Sequence, residues 1–221
     1  MTAPQTWHYG LVARWWAEFN EGGDEIPFLR DVIRREDGPA LDVGCGTGRV
    51  LVPLLDAGCD VDGVDVSPDM LRYCGELAES RGHSPRLRAQ AMHELSMGRE
   101  YAVVYSCGTF ELGGDRRNDL EALRRYRDHL RPGGVLAFDC ELPNHEHHAW
   151  LLGAELPPLP EPWPATGEPK RAADGTELAI AARSLEYNAL EQTQVREIRI
   201  DHTRDGRLLA REEHTLKSTR Y

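Results

Sequence analysis

The run Leu41-Asp42-Val43-Gly44-Cys45-Gly46-Thr47-Gly48-Arg49 restricts what this chain can fold into more than any other feature. Three glycines at alternate positions follow an apolar stretch, residues 40–43, that reads as a short buried strand. A stretch with an apolar helical face, residues 49–57, comes after them. Glycine between a strand and a helix lets the backbone turn tightly and approach a ligand without Cβ interference. The amides exposed at the start of the following helix favour a negative group. A second strand, residues 61–64, ends at Asp65. A carboxylate there can accept hydrogen bonds from both hydroxyls of a ribose, each worth about 1.5–3 kcal/mol when charge-assisted.

The alternation continues. Ser67 is placed to N-cap a helix with Pro68 at its first position, running to about Arg81. Residues 87–91 and 101–106 read as a third and a fourth strand, 118–130 as a helix, and 135–140 as a fifth strand after the Pro132-Gly133-Gly134 break. Strands alternating with helices imply parallel pairing through right-handed crossovers. The expected fold is therefore α/β, a Rossmann-like, mostly parallel sheet flanked by helices. Two helices, residues 7–20 and 25–35, precede it; in the first, Leu11, Val12, Trp15, Trp16 and Phe19 recur at helical spacing.

The pattern changes after Cys140. Residues 156–169 hold six prolines, at 157, 158, 160, 162, 164 and 169, which excludes a helix. Three β-rich runs follow, roughly 177–187, 192–203 and 207–217, with the hairpin signal Asp205-Gly206 between the last two. The chain thus divides into an N-terminal helical lid (1–36), a core (37–153), a Pro-rich linker (154–176) and an antiparallel strand meander (177–221).

Composition narrows the functions. A formal charge of -11 argues against a nucleic-acid partner, which needs Lys and Arg to neutralise phosphates. No segment has the apolar length to cross a bilayer, and residues 1–7 lack the pattern of a signal peptide, so no membrane partner and a cytoplasmic location are expected. The five cysteines are scattered singly, without metal-ligand spacing. Asn144-His145-Glu146-His147-His148 looks metal-like, but no nearby Cys or Asp completes a zinc set, and adjacent histidines cannot all face one ion. No metal is expected.

A glycine loop followed by an acid also describes a dinucleotide site. Two details favour a different nucleoside ligand. The glycines stand as G-x-G-x-G rather than G-x-G-x-x-G. Asp42 precedes the loop, where an acid suits a ligand bearing an amino group and sits poorly beside a pyrophosphate. Residues 41–49 resemble the first motif of the class I S-adenosylmethionine-dependent methyltransferases. Val64-Asp65-Val66-Ser67-Pro68-Asp69-Met70-Leu71 looks like their second motif, and Leu130-Arg131-Pro132-Gly133-Gly134 like the turn entering their fifth strand. The resemblance covers residues 40 to about 140 and extends loosely over the chain, towards small bacterial proteins with a general methyltransferase domain.

The resemblance implies S-adenosylmethionine as cofactor and a set of contacts. Gly44 and Gly46, within a loop that also brings Cys45 and Gly48, would lie along the methionine portion. Asp65 would hold the ribose, and Val66 and Met70 would flank the adenine, although Met70 with Leu71 and Cys74 at helical spacing equally reads as core. Gln90, Ala91 and Met92 would reach the adenine edge; the family often has Asp where Gln90 stands. Ser106 and Cys107 would face the methionine amine, as Asp42 would directly or through water. Tyr9 and Arg14, from the lid, would touch the carboxylate.

A sulfonium methyl is already a strong electrophile, so the protein mainly aligns the nucleophile, and a base is needed only for a protonated acceptor. Of Tyr9, Glu111, Glu141 and His145, the strand-end residues Glu111 and His145 rank highest for acid–base work. No Asn-Pro-Pro-Tyr-like run follows the fourth strand, which leaves a small-molecule acceptor, oxygen or nitrogen. A dinucleotide-dependent oxidoreductase and a catalytically silent cofactor-binding protein are the competing readings. Related domains usually close their sheet with a further helix and two strands. Either the late strands pair only among themselves, leaving the fifth strand an open edge of a shortened fold, which is the favoured expectation, or residues 192–216 supply the terminal hairpin beside residues 135–140; exposed strands would in either case allow a homodimer.

Overall fold

The computed structural model describes residues 6–140, 158–164, 167 and 169–220. Two helices open the chain, α1 (Gly10–Phe19) and α2 (Glu25–Glu36). The core then runs β1 (Ala40–Val43), α3 (Leu51–Asp56), β2 (Val61–Asp65), α4 (Pro68–Ser80), β3 (Leu87–Ala89), β4 (Tyr101–Ser106), α5 (Arg116–His129) and β5 (Leu130–Phe138). The five strands form one sheet in the order β3-β2-β1-β4-β5, and every pairing is parallel. β1, β2 and β4 are buried along their whole length, as strands covered by helices on both faces must be. The chain leaves β1 towards β2 on one side and later returns to β4 on the other. That reversal opens a crevice at the carboxyl end of β1, where the glycine loop lies.

Local chemistry sets the boundaries. Ser67 caps α4 as expected, its Oγ accepting from the Met70 amide with Pro68 at the first turn. α5 begins two residues earlier than residue 118, because Asp115 Oδ1 accepts from the amides of Arg117 and Asn118, both at 2.9 Å. β3 stops at Ala89, and β5 starts at Leu130 rather than after Gly134, since Leu130 already pairs with Tyr101 across a register shift.

A second sheet, β6 (Lys170–Arg171), β7 (Glu177–Asn188), β8 (Thr193–Arg204) and β9 (Arg207–Thr219), is antiparallel and in sequence order. The late strands pair only with one another, and β5 borders no further strand among the described residues. The helical N-terminus splits between the two sheets. α2 contributes Leu29, Val32 and Ile33 to the core around β1 and β4. α1 instead lays Val12, Trp15, Trp16 and Phe19 on Leu178, Ile198 and Ile200 of the antiparallel sheet. The tryptophans are thus partly buried, but against the second sheet and not the parallel core. The end of β9 docks on the turn after β4: the Thr219 hydroxyl donates to Asp119 Oδ2 at 2.6 Å and to the Glu111 carbonyl at 3.2 Å.

Candidate active site

The loop after β1 is built for close approach. The amides of Gly44 and Cys45 both donate to the Val64 carbonyl, at 2.7 and 2.9 Å, which folds the loop over the end of β2. Gly44 has φ +82°, and a Cβ there would fall 2.2 Å from Thr109 Oγ1, so only glycine fits between β1 and the turn after β4. Gly46, at φ +55°, faces open space: a Cβ would meet only the Met70 methyl, at 3.4 Å. Gly48 packs against Val52 and Cys74 instead and stands behind the cleft wall.

Two carboxylates converge beneath this loop. Asp65 Oδ2 accepts from the Gly46 amide at 2.9 Å and Oδ1 from the Ser67 amide at 2.8 Å. A carboxylate has about four acceptor positions, so acceptor capacity remains for ligand hydroxyls. Burial raises the Asp65 pKa, and the amides of Ser67, Gly46 and Val66 oppose the rise. Asp42 is 2% exposed, and its Oδ2 has no hydrogen-bond partner of good distance and angle. Burial pushes its carboxyl up to about 7; the Tyr105 phenol and Arg49 pull it down, and the Asp65 charge adds to the rise.

Around these groups lies a cleft of about 960 Å³. Asp42, Gly44, Cys45 and Gly46 form its floor. Asp65, Val66 and Met70 border it from the β2–α4 junction, and Gln90, Ala91, Met92 and Cys107 from the ends of β3 and β4. Burial pushes the Cys107 thiol up to about 12, which keeps it neutral. The Gln90 amide is already engaged: it donates to the Ser96 carbonyl and accepts from the Ser96 amide, closing the loop 90–96. Ser106 lies fully buried behind the wall and does not border the cleft.

The N-terminal segment reaches the cleft through other residues than expected. Tyr9 turns outward onto His214, with ring centroids 4.0 Å apart. Arg14 is held on the far side by Glu18 at 2.6 Å and Asp174 at 3.0 Å, tying α1 to the antiparallel sheet. Neither borders the cleft; Thr6, His8, Trp16 and Asn20 do. Helical spacing gave no signal for His8, which lies before α1. Its Nε2 takes the Trp7 indole N–H at 3.1 Å, and burial holds its imidazole well below the ordinary histidine range. The segment is latched by acids: the Gly10 amide donates to Asp69 Oδ2 and the Leu11 amide to Glu212 Oε2, both at 2.8 Å. Sequence reasoning also missed Thr109, His93, Glu94 and Asn118, which come to the cleft through tertiary contact alone.

A smaller cavity of about 300 Å³ adjoins the cleft. Gly108, Thr109, Leu112 and Leu216 border both. Glu111 lines this cavity, only 5% exposed, with its Oε2 paired to Arg220 at 3.1 Å. His145 and Glu141, with the histidine cluster 145–148, lie outside the described residues. Among the described residues, no group of three or more His, Cys, Asp or Glu is placed to hold a metal, and no helix is long and apolar enough to cross a membrane.

A Rossmann-like core with a glycine loop and a strand-end acid defines a nucleoside-cofactor domain. Comparison with known proteins says which. Residues 40–134 match the methyltransferase domain family. The chain is 31% identical over 147 residues to the dTDP-3-amino-3,6-dideoxy-alpha-D-glucopyranose N,N-dimethyltransferase of Streptomyces fradiae, covering 62% of this chain and 55% of that one. Among solved structures it resembles an S-adenosylmethionine-dependent methyltransferase from Clostridium acetobutylicum, with a TM-score of 0.71 at 17% identity over 96% of this chain and 80% of that one. A sugar N-methyltransferase from Streptoalloteichus aligns with a TM-score of 0.67 at 21% identity over 100% of this chain and 85% of that one. The chain spans about half the length of the curated relatives it matches. Residues 40–134 thus match a methyltransferase domain, and the chain is similar in sequence to methyltransferases and in fold to S-adenosylmethionine-dependent ones. The methyl donor, not a dinucleotide, is the cofactor of this domain. The site fits it: the buried Asp42 oxygen without a partner suits an amino group, and Asp65 keeps acceptor positions for a ribose.

Proposed function

We propose that this chain transfers a methyl group from S-adenosylmethionine to the nitrogen of a small-molecule acceptor. The observation that carries this reading is the junction at Gly108, Thr109, Leu112 and Leu216, where a compact cavity meets the larger cleft. A cleft of about 960 Å³ and a cavity of about 300 Å³ match the two ends of the usual range for small-molecule sites, a large cofactor beside a small acceptor. Nitrogen is favoured over oxygen because the Streptomyces fradiae relative is named for N,N-dimethylation and that of Halorhodospira halochloris for glycine and sarcosine N-methylation. No base is required for a neutral amine.

When bound, the cofactor supplies an electrophilic methyl group on a sulfonium. In this reading Asp42 holds the amino group, Asp65 orients the ribose and the Gly44–Gly46 backbone sets the methionine portion. Val66 and Met70 flank the adenine, and Ala91 and Met92 meet its edge. Trp16 and His8 restrict water above the site. Positioning of this kind can account for about 7–11 kcal/mol of a barrier. Glu111 is paired to Arg220 and shapes the acceptor cavity; its proton-transfer role is left to the variant Glu111→Gln, in which a falling kcat would restore it.

Calorimetric titration with S-adenosylhomocysteine is expected to show one site per chain. Asp65→Ala removes the ribose acceptor and the brace to Gly46 and Ser67. At about 1.5–3 kcal/mol per charge-assisted bond it should weaken binding about 100-fold or more. Labelled S-adenosylmethionine with a panel of small amines and alcohols then reads the reaction. Saturable binding with no transfer to any acceptor would identify a silent cofactor-binding protein, and no binding at all would overturn the reading.

A further inference from the structure

Asp42 has two immediate neighbours across the parallel sheet. On one side β1 pairs it with Gly63 of β2, which brings no side chain. On the other it is paired with Tyr105 of β4, which is fully buried and stands on the same face of the sheet. The β5 partner of Tyr105 is Ala137, which offers no polar group. The Tyr105 hydroxyl and Asp42 Oδ2 are both buried without a hydrogen-bond partner of good distance and angle among the described residues. Burying an unanswered hydroxyl is costly, and phenylalanine would fill the same space without that cost. Burial, and then the Asp42 charge, hold the phenol well above its ordinary range, so it remains a protonated donor. The other titratable groups about Asp42 are Asp65 at the end of β2, Cys45 and Arg49 of the glycine loop, and Cys107 after β4. Contact with Cys74 and burial keep the Cys45 thiol neutral, burial keeps the Cys107 thiol neutral, and Arg49 is paired to Glu25 at 2.5 Å. Among these groups the phenol is the strong neutral donor.

We propose that Tyr105 is a positioning residue of the cofactor site: its hydroxyl donates to the ionised Asp42 carboxylate and readies it for the cofactor's amino group. The inference rests on the methyltransferase reading and deepens it. Tyr105 does not border the cleft, so it acts through Asp42 and not on the ligand. A protonated Asp42 has no negative charge to offer an ammonium group, so binding draws on the ionised fraction. A hydrogen bond from a neutral donor favours the charged form of a carboxyl. Burial raises the Asp42 carboxyl to about 7, and the Tyr105 phenol is the largest counterweight, ahead of Arg49. Removing the hydroxyl therefore moves the ionisation of Asp42 to higher pH. The cost in affinity is greatest where the wild-type carboxyl is only partly ionised and fades where it is fully ionised.

The test titrates the full chain and its Tyr105→Phe variant with S-adenosylhomocysteine at pH 6.5 and pH 8.5. Moving the ionisation of Asp42 up by about one pH unit, the scale of one hydrogen bond, lowers the ionised fraction about 5–10-fold at pH 6.5 and less than about 2-fold at pH 8.5. Kd in the variant is expected to rise by those factors. The control ligand is the S-adenosylhomocysteine analogue that lacks the amino group. Tyr105→Phe should change its Kd by less than about 2-fold at either pH, because that ligand makes no call on the Asp42 charge. A tyrosine that serves only packing predicts equal losses at both pH values and for both ligands. Such equal losses, an unchanged Kd for S-adenosylhomocysteine at pH 6.5, or a comparable loss with the analogue overturns the proposal. Wild-type binding separates the two levels. If S-adenosylhomocysteine binds the wild type while the variant pattern fails, only this inference falls; if it does not bind, the methyltransferase reading falls with it.

Discussion

Asp42→Asn should make this protein more stable and worse at binding its cofactor, and both effects should depend on pH. Asp42 sits at the end of β1, 2% exposed, with its carboxyl pushed from 3.8 up to about 7 by burial first and by Asp65 second. The folded state thus holds a proton that the unfolded state releases. The stability this represents is fully present below pH 3.8 and is lost as pH rises through about 7. At about 1.36 kcal/mol per pKa unit, the ionised carboxylate costs the native state roughly 4 kcal/mol at pH 8. Asparagine carries no such cost, but its amide must be buried in the same place, at about 1–3 kcal/mol for an unsatisfied group. The net gain at pH 8 is then about 1–3 kcal/mol, or roughly 2–12 °C in Tm for a chain of this size, shrinking towards zero or reversing near pH 4. Urea unfolding of both proteins at pH 4.5, 6 and 8 measures the difference directly. A cationic amino group on the ligand favours the ionised form, so wild-type affinity for S-adenosylhomocysteine should rise between pH 5.5 and 7.5 and that of the variant should not. A stability difference that stays flat from pH 4.5 to 8 would refute the assignment of a strained, proton-holding carboxyl to this position.

Gly44→Ala places a methyl 2.2 Å from Thr109 Oγ1 on a backbone at φ +82°, so a loss of about 2–4 kcal/mol in unfolding free energy is expected, together with loss of S-adenosylhomocysteine binding. Chemical denaturation followed by calorimetry checks both, and wild-type behaviour in either would show that the loop has another conformation. Asp69→Ala with Glu212→Ala removes both acceptors at the start of α1. At about 0.3–1 kcal/mol for each anion at a helix N-terminus, amide exchange in residues 10–13 should accelerate several-fold and cofactor affinity should fall. Unchanged exchange in the double variant would mean that the packing of Val12 and Trp16 alone holds α1.

How much of this was legible beforehand depends on how local the cause is. The glycine loop, the acid at Asp65, the cap at Ser67 and the alternation of strands and helices are consequences of residues within a few positions of one another. For those, backbone sterics, capping and hydrophobic periodicity act before any tertiary contact, and residues 40–134 read correctly as a nucleoside-binding α/β core. Where local reasoning fell short in that stretch the causes are equally physical. Gln90 borders the cleft as expected but has its amide engaged with Ser96 through closure of the loop 90–96, and Ser106 is fully buried and does not border the cleft.

Beyond the core, distant contacts decide. Sequence by itself determined that the chain carries a parallel cofactor domain, that the late β runs are antiparallel, and that Asp42 and Asp65 bracket the loop; that the late strands form a sheet apart from β5 was decided by the tertiary structure. Only the tertiary structure decided that α1 belongs to the antiparallel sheet, so that Arg14 is spent on Glu18 and Asp174 while His8 and Trp16 reach the cleft. It alone decided that Glu111 is answered by Arg220, 109 positions away, and that Arg196 and Asp139 face one small cavity from separate sheets. The physical reason is that period and propensity report which face of an element is apolar, whereas charge pairing across two sheets depends on how those faces dock, and no local pattern encodes that docking.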